Sequence, residues 1–258
     1  MSKKLVALIV LGIFVLSLGL AGCGSQQAAQ PAKPKVLKVG TDAAFAPFEF
    51  QDEKTKEYVG FDIDLIKAIA KQMGAEVQIQ SMGFDGLIPA LEAGQIDIAI
   101  AGMTITEERA KKVNFSKPYY KSGLTILVKA DNNTIKSFKD LEGKKIAVQI
   151  GTTGAMEAKK IKDAVIREFN NAPEAFMELK AGGVDAVIND KPVNDYYLSQ
   201  GGAKDAKTVG DLLKSEDYGI ATAKKNTELA QKIDKALDEV IKSGEYEKIY
   251  VKWFGKKP

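Results

Sequence analysis

Arg109 and Asp190 carry the most specific chemistry in this chain. Arg109 closes the stretch Gly102-Met103-Thr104-Ile105-Thr106-Glu107-Glu108-Arg109. Thr106 reads as a helix N-cap, with Glu107 and Glu108 suited to the positive helix start. Arg109 then falls in the first turn, where the helix dipole disfavours a cation, so a surface role explains it poorly. Its planar fork suits a carboxylate held through two hydrogen bonds. Pairing with Glu107, Glu108 or another local acid is the alternative. Asp190 follows a predicted strand and precedes Lys191-Pro192. A carboxylate there can hold an ammonium group or cap the next helix, and the local sequence does not separate the two. Together the residues offer a cation for a carboxylate and an anion for an ammonium, the two charged groups of an α-amino acid.

Other residues fit around that pair. Ile150-Gly151-Thr152-Thr153-Gly154 follows a predicted strand and opens a helix, so its free N–H groups and hydroxyls form a candidate anion site. It lacks the Gly-Lys-Ser/Thr end of a phosphate-binding loop, which argues against a nucleotide. A plain strand-to-helix turn explains it equally well. Asp42 follows the first predicted strand, with Phe45, Pro47, Phe48 and Phe50 close behind it. Most of these rings read as core, with one or two free to line a pocket, as is Phe84. The chain has no histidine and one cysteine, Cys23. Histidine is the commonest general base, so catalysis would rest on Asp or Glu. No metal, cofactor or catalytic residue is expected.

The elements that must position these residues alternate short apolar strands with amphipathic helices, which implies α/β layers. Strands are predicted at Val36–Gly40, Glu76–Gln80, Ile96–Ala101, Leu124–Lys129, Lys145–Ile150 and Val184–Asn189. Helices are predicted at Phe61–Met73, Gly86–Ala93 and Pro173–Ala181, with a helical C-terminus over Asn226–Ser243 and Gly244–Trp253. The stretch Leu91-Glu92-Ala93-Gly94-Gln95-Ile96-Asp97-Ile98-Ala99-Ile100 matches Leu179-Lys180-Ala181-Gly182-Gly183-Val184-Asp185-Ala186-Val187-Ile188. Each is a helix end, a glycine turn and a strand, and the match suggests two lobes of similar build. Ala101 and Gly102 follow the first copy; Asn189 and Asp190 follow the second. Ligands of α/β sheets bind beyond the carboxyl ends of strands. Facing lobes would therefore bring these two strand ends together across a cleft.

The ends and the charge set the address. Lys3 and Lys4 precede an apolar run from Leu5 to Leu20, shorter than the roughly 20 residues of a spanning helix and followed by small residues. Residues 1–22 read as an export signal. Gln26–Lys35 is polar, without apolar periodicity, and reads as a flexible tether. The 258-residue chain has 37 basic and 34 acidic side chains. This near-balance argues against a nucleic-acid surface.

Leu20-Ala21-Gly22-Cys23 resembles the lipobox of bacterial lipoproteins. Thr41 to Phe50, Gly60-Phe61-Asp62-Ile63-Asp64-Leu65, Ala101 to Arg109, Phe115 to Tyr120, Gly151 to Gly154 and Lys252-Trp253-Phe254-Gly255 resemble the polar amino-acid-binding proteins of ATP-driven importers. That likeness covers Val36 to Gly255. It implies an α/β, type II periplasmic-binding-protein-like fold with two lobes joined by two crossing hinge strands. It implies a signal peptide over 1–22, a lipidated Cys23 heading a tether to 35, lobe 1 at 36–120 and 221–258, and lobe 2 with its hinges at 121–220. It also implies a monomer anchored by lipid on the outer face of the cell membrane, serving an ABC permease.

The same resemblance assigns ligand roles. Arg109 clamps an α-carboxylate with backbone N–H groups of Thr104 and Thr153. Asp190 and the Gly102 carbonyl hold the α-ammonium. Phe45 and Phe84 sandwich the ligand side chain, and Asp42 and Gln149 read its far end. Ala101, Thr152 and Asn189 complete the expected set. Gln149 can pair with an amide or a guanidinium, and Asp42 suits a cationic end, so arginine or another basic L-amino acid is placed ahead of glutamine. The rivals are an enzyme on the same scaffold, such as a cyclohexadienyl dehydratase, and a surface adhesin or sensor.

Overall fold

In a computed structural model that describes residues 34–258, the first strand, β1 (Lys35–Thr41), buries Leu37 and Val39 and exposes Lys38. This is the period-two signature of a strand. The export signal, Cys23 and the tether up to Lys33 lie outside the described residues, and β1 already begins at Lys35. Next come β2 (Ala44–Phe45), β3 (Glu49–Gln51) and β4 (Tyr58–Val59), a small antiparallel sheet in that order. The chain then enters α1 (Phe61–Gln72), whose residues Phe61, Leu65, Ile66 and Ile69 are fully buried. Each such side chain contributes about 1.5–3 kcal/mol by leaving water.

The first main sheet adds β5 (Ala75–Ser81), then, after α2 (Leu87–Glu92), β6 (Ile98–Ala99), and, after α3 (Glu107–Lys112), β7 (Val113–Phe115). The long strand β8 (Tyr120–Lys129) leads to a second sheet. There follow β9 (Lys145–Gln149), α4 (Thr153–Ala158), β10 (Val165–Phe169), α5 (Ala172–Ala181), β11 (Ala186–Asp190), α6 (Lys191–Ser199) and β12 (Ala206–Val209). The return runs through β13 (Ser215–Tyr218) and β14 (Ala221–Ala223) into α7 (Thr227–Lys242) and α8 (Glu245–Phe254).

The two sheets have strand orders β5-β1-β6-β14-β7 and β10-β9-β11-β8-β12. In each, three neighbouring strands are parallel and the strands beyond them antiparallel. The chain passes between them twice, on β8 and on β13, which pair antiparallel with Tyr120 opposite Tyr218 and Ser122 opposite Glu216. This ribbon is packed in aromatics: the Tyr120 ring lies 5.7 Å from Tyr218 and 5.1 Å from Phe254, and Phe48 lies 5.3 Å from Tyr218. The C-terminus is pinned to the first sheet's side by Trp253 Nε1, which donates to Asp64 Oδ2 at 2.7 Å.

The internal sequence match has a common structural cause. Asp97 accepts from the backbone N–H of Lys38 on β1 at 2.9 Å, and Asp185 accepts from that of Lys145 on β9 at 2.8 Å. In both copies the aspartate thus ties its strand's entry to the neighbouring parallel strand. The strand expected over Ile96–Ala101 is shorter than its sequence suggests. Asp97 N and Ile100 N still donate to Lys38 and Gly40 carbonyls, but only Ile98 and Ala99 pair as a ladder.

Gly60 fixes the start of α1. It has φ 136°, and a Cβ there would lie 2.0 Å from the Phe48 carbonyl oxygen, whereas Gly94 has φ 70° with open space around it. Gly60→Ala is therefore expected to cost about 3 kcal/mol or more of unfolding free energy, and Gly94→Ala about 1 kcal/mol. Urea unfolding monitored by circular dichroism separates the two; equal costs would contradict the steric account.

Candidate functional site

Thr106 accepts from the Arg109 backbone N–H at 3.2 Å and so caps α3 as its sequence predicts. That cap places Arg109 at the third helical position, with its side chain aimed back toward the strand ends. Arg109 is 5% exposed. Its guanidinium donates to the Thr104 carbonyl at 2.7 Å and, across to the second sheet's side, to the Gly151 carbonyl at 3.0 Å. Its carbon lies 5.1 Å from the Phe84 ring centre, a cation–π contact worth about 2 kcal/mol when dry. The expected alternative, a local ion pair with Glu107 or Glu108, is not formed: both side-chain hydrogen bonds go to carbonyls. Burial lowers the Arg109 pKa, and the charges of Glu216 and Asp190 oppose that fall.

Asp190 ends β11 and precedes α6, yet its side chain makes no cap hydrogen bond. Its Oδ1 instead accepts from the Tyr218 hydroxyl at 2.6 Å and the Ser122 hydroxyl at 3.1 Å. Both donors sit on the ribbon that joins the sheets. Burial, then the charge of Glu216, raises the Asp190 pKa to about 7, against the pull of those hydroxyls and of Arg109.

Asp42 follows β1 and meets Gln149 at the end of β9. Gln149 Nε2 donates to Asp42 Oδ2 at 2.5 Å and to the Asn170 carbonyl at 3.1 Å. Burial raises the Asp42 pKa to about 6; the Gln149 bond lowers it and nearby Asp85 adds to the rise. Thr152 caps α4, accepting from Ala155 N and donating to the Gln149 carbonyl. Gly102 has φ 53°, and a Cβ there would sit 2.7 Å from the Phe45 ring, so only glycine brings this backbone against that ring.

These residues close around one cavity of about 10 Å³, lined by Phe45, Phe84, Ala101, Gly102, Thr104, Arg109, Gln149, Thr152, Thr153 and Asp190. Asp42 reaches it through Gln149. Asn189 does not line it. The pleat of β11 turns the Asn189 side chain away from Asp190, and its amide donates to Asn194 Oδ1 at 3.3 Å. A space this size holds about one water. Walls drawn from both sheets must part for anything larger to enter.

Sequence reasoning missed Glu216, Ser122 and Tyr218. Glu216 is 3% exposed and accepts from the hydroxyls of Thr104 at 3.0 Å and Thr153 at 2.9 Å, one from each side of the cavity. Its second oxygen is buried without a donor, and burial raises its pKa. Exposed and buried residues alternate along Ser215-Glu216-Asp217-Tyr218 in the fold, but the sequence there has no apolar alternation to show it. The family resemblance implies a crossing strand here but gives Glu216 and Tyr218 no role at the site. Among the described residues no group of three or more metal-ligating side chains occurs, and no helix is long and apolar enough to cross a membrane.

Fold and cavity together define a two-lobed α/β binding protein of the type II periplasmic-binding-protein kind. The chain belongs to the bacterial extracellular solute-binding proteins, family 3, whose model matches residues 37–256. It is 36% identical over 251 residues to the arginine-binding extracellular protein ArtP of Bacillus subtilis, covering 96% of this chain and 97% of that one. Among solved structures it resembles an ancestral arginine-binding protein bound to arginine, with TM-score 0.82 and 52% identity over 85% of this chain and 98% of the other. The same kind of ancestral protein bound to glutamine matches with TM-score 0.80 and 52% identity, over 86% and 98%.

The raised carboxyls set the sign of the pH dependence. Asp190 and Asp42 titrate at about 7 and about 6 when folded, above the ordinary 3.8. The folded state therefore holds protons that the unfolded chain releases, so their contribution is fully present below 3.8 and is lost as pH rises to about 7. Thermal unfolding without ligand between about pH 4 and about pH 8 is expected to show stability falling, with a shallower fall in Asp190→Asn. An unchanged slope in that variant would contradict the assignment.

Proposed function

We propose that this protein captures a basic L-amino acid, arginine foremost, and delivers it to an ABC permease without chemical change. The observation that carries this reading is the convergence of Arg109 and Asp190 on one cavity between Phe45 and Phe84. Arg109 takes the α-carboxylate, exchanging its carbonyl partners for a charged one, with backbone N–H groups of Thr104 and Thr153 assisting. Asp190 and the Gly102 carbonyl take the α-ammonium. Ala101 and Thr152 complete the wall, and Asp42 with Gln149 meets the far end of the side chain.

Charge favours a cationic ligand. Around the cavity stand three carboxyl groups, Asp42, Asp190 and Glu216, each pushed up by burial, against the single guanidinium of Arg109. A basic amino acid brings a net positive charge to that excess of acid. Glutamine is the second reading, supported by the bond already formed between the Gln149 amide and Asp42, since a ligand amide can take the same partner. Relatives named for arginine and structures holding arginine or glutamine accord with both.

Capture would use a hinge at the β8–β13 ribbon, with lobe 1 over 36–120 and 221–258 and lobe 2 over 121–220. Asn189, off the cavity, would act by holding Asn194 and the β11 end rather than by touching ligand. Cys23 would carry the lipid that keeps the protein on the outer membrane face, as a monomer within reach of its permease. The absence of histidine from the sequence accords with binding rather than turnover.

Calorimetry with L-arginine, L-lysine, L-ornithine and L-glutamine tests this reading. The wild type is expected to prefer a basic ligand, and Arg109→Ala to weaken it roughly 100-fold or more, the cost of stranding a desolvated carboxylate. Affinity within threefold of wild type in that variant, roughly 0.7 kcal/mol, would sink the assigned role.

A further inference from the structure

Behind the cavity wall lies a second pair of acids that ligand binding does not use directly. Glu49 on β3 and Asp62 in the first turn of α1 are both 0% exposed. Asp62 Oδ2 accepts from the Gly102 backbone N–H at 2.9 Å and from the Tyr119 hydroxyl at 2.7 Å. Taken as two carboxylates, Asp62 Oδ1 and both Glu49 oxygens are buried with no donor at all. The two side chains stand within reach of each other, and a hydrogen bond between them forms only if one carries a proton. The groups acting on the pair are Asp42 after β1, Tyr119 ahead of β8, and Tyr246 on α8, with Tyr218 on β13 beyond Tyr119. All are acids or phenols, and no lysine or arginine acts on either carboxyl among the described residues.

We infer that Glu49 and Asp62 hold a single proton between them, and that this acid–carboxylate pair positions the Gly102 peptide of the ligand-binding loop. Two adjacent, fully buried carboxylates with no cationic side chain beside them cannot both stay ionised. The proton resides on Glu49, which has no other donor to stabilise its charge. Asp62 keeps the negative charge because Gly102 N–H and the Tyr119 hydroxyl both favour it. Glu49 then donates to Asp62 Oδ1, and every buried oxygen of Asp62 is satisfied. The arrangement fixes the Gly102 N–H from behind, which leaves its carbonyl oriented for the ligand ammonium. Burial, then the charges of Asp62 and Asp42, raise the Glu49 pKa well above its ordinary 4.5, in keeping with this placement. Gly102 positioning rests on the amino-acid reading above; the shared proton does not.

Infrared difference spectroscopy of the full chain, wild type minus Glu49→Gln at about pH 8, reads the proton directly, since exposed carboxyls are ionised there. A protonated-carboxyl carbonyl band present only in the wild type is expected, and its absence overturns the proposal. Nitrogen-resolved NMR of the Gly102 amide reads the positioning without any ligand. Its proton is expected to keep its downfield shift in Glu49→Gln, whose amide still donates to Asp62, and to move upfield in Asp62→Asn. Arginine calorimetry adds the functional arm. Glu49→Gln is expected within about threefold of wild type, while Asp62→Asn and Glu49→Ala lose about tenfold or more. Stability gives a pH signature: Glu49→Gln gains on wild type as pH rises from about 5 to about 8, because the folded wild type holds a proton on Glu49 that its unfolded chain releases, and the variant has none to release. A Glu49→Gln variant as weak as Glu49→Ala, or a Gly102 amide indifferent to Asp62→Asn, would refute the positioning role. A wild type that binds no amino acid would defeat the proposed function and leave the infrared result to decide the proton.

Discussion

The Arg109 guanidinium is buried between the two sheets and held there by carbonyls rather than by a carboxylate. A desolvated cation with neutral partners keeps much of its electrostatic capacity for a charged one. The remaining groups of the site follow from that placement. Asp190 and Glu216 stand close enough for their charges to oppose the effect of its burial, yet neither hydrogen-bonds to it. A carboxylate arriving with a ligand would meet a cation already dry and oriented, which lessens the entropy cost of ordering it.

The ribbon of β8 and β13 links this local chemistry to the whole fold. Ser122 and Tyr218 hold Asp190, and Glu216, opposite Ser122, gathers Thr104 from one lobe and Thr153 from the other. The segment on which the lobes would turn is therefore the segment whose hydroxyls and carboxylate line the back of the cavity. On the proposed closure, a ligand bridging Arg109 and Asp190 makes contacts available in only one arrangement of the lobes, which is the differential affinity that shifts such an equilibrium. The Gln149–Asp42 bond adds a further contact across the cavity.

Much of the architecture was legible where burial writes itself as periodicity. The apolar rows of α1 and the alternation of β1 announce their elements, and the matched stretches ending at Ile100 and Ile188 mark the paired Asp97 and Asp185 clamps. Ten of the residues that the family resemblance put at the ligand site line one cavity; the local sequence alone left Arg109, Asp190 and the Gly151–Gly154 turn open to plain structural roles. What stayed hidden had no local signature. Glu216 and Tyr218 belong to a short polar strand stabilised only by its partner β8, and Ser122 is one hydroxyl in a long strand. Asn189 misled because adjacent strand residues look alike in sequence and point to opposite faces in a sheet. Asp190 was ambiguous for a related reason: a carboxylate before a helix is usually a cap, and only the tertiary approach of Tyr218 draws it elsewhere.

The central claim is that opposed charges, Arg109 and Asp190, recognise both ends of one α-amino acid. Titration calorimetry of the wild-type protein with L-arginine, agmatine and Nα-acetyl-L-arginine tests it most directly, because the last two remove the carboxylate or the ammonium and keep the guanidinium. The account predicts that L-arginine binds and that each analogue binds about a hundredfold more weakly or not at all. Agmatine or the acetylated ligand binding as tightly as L-arginine would contradict it.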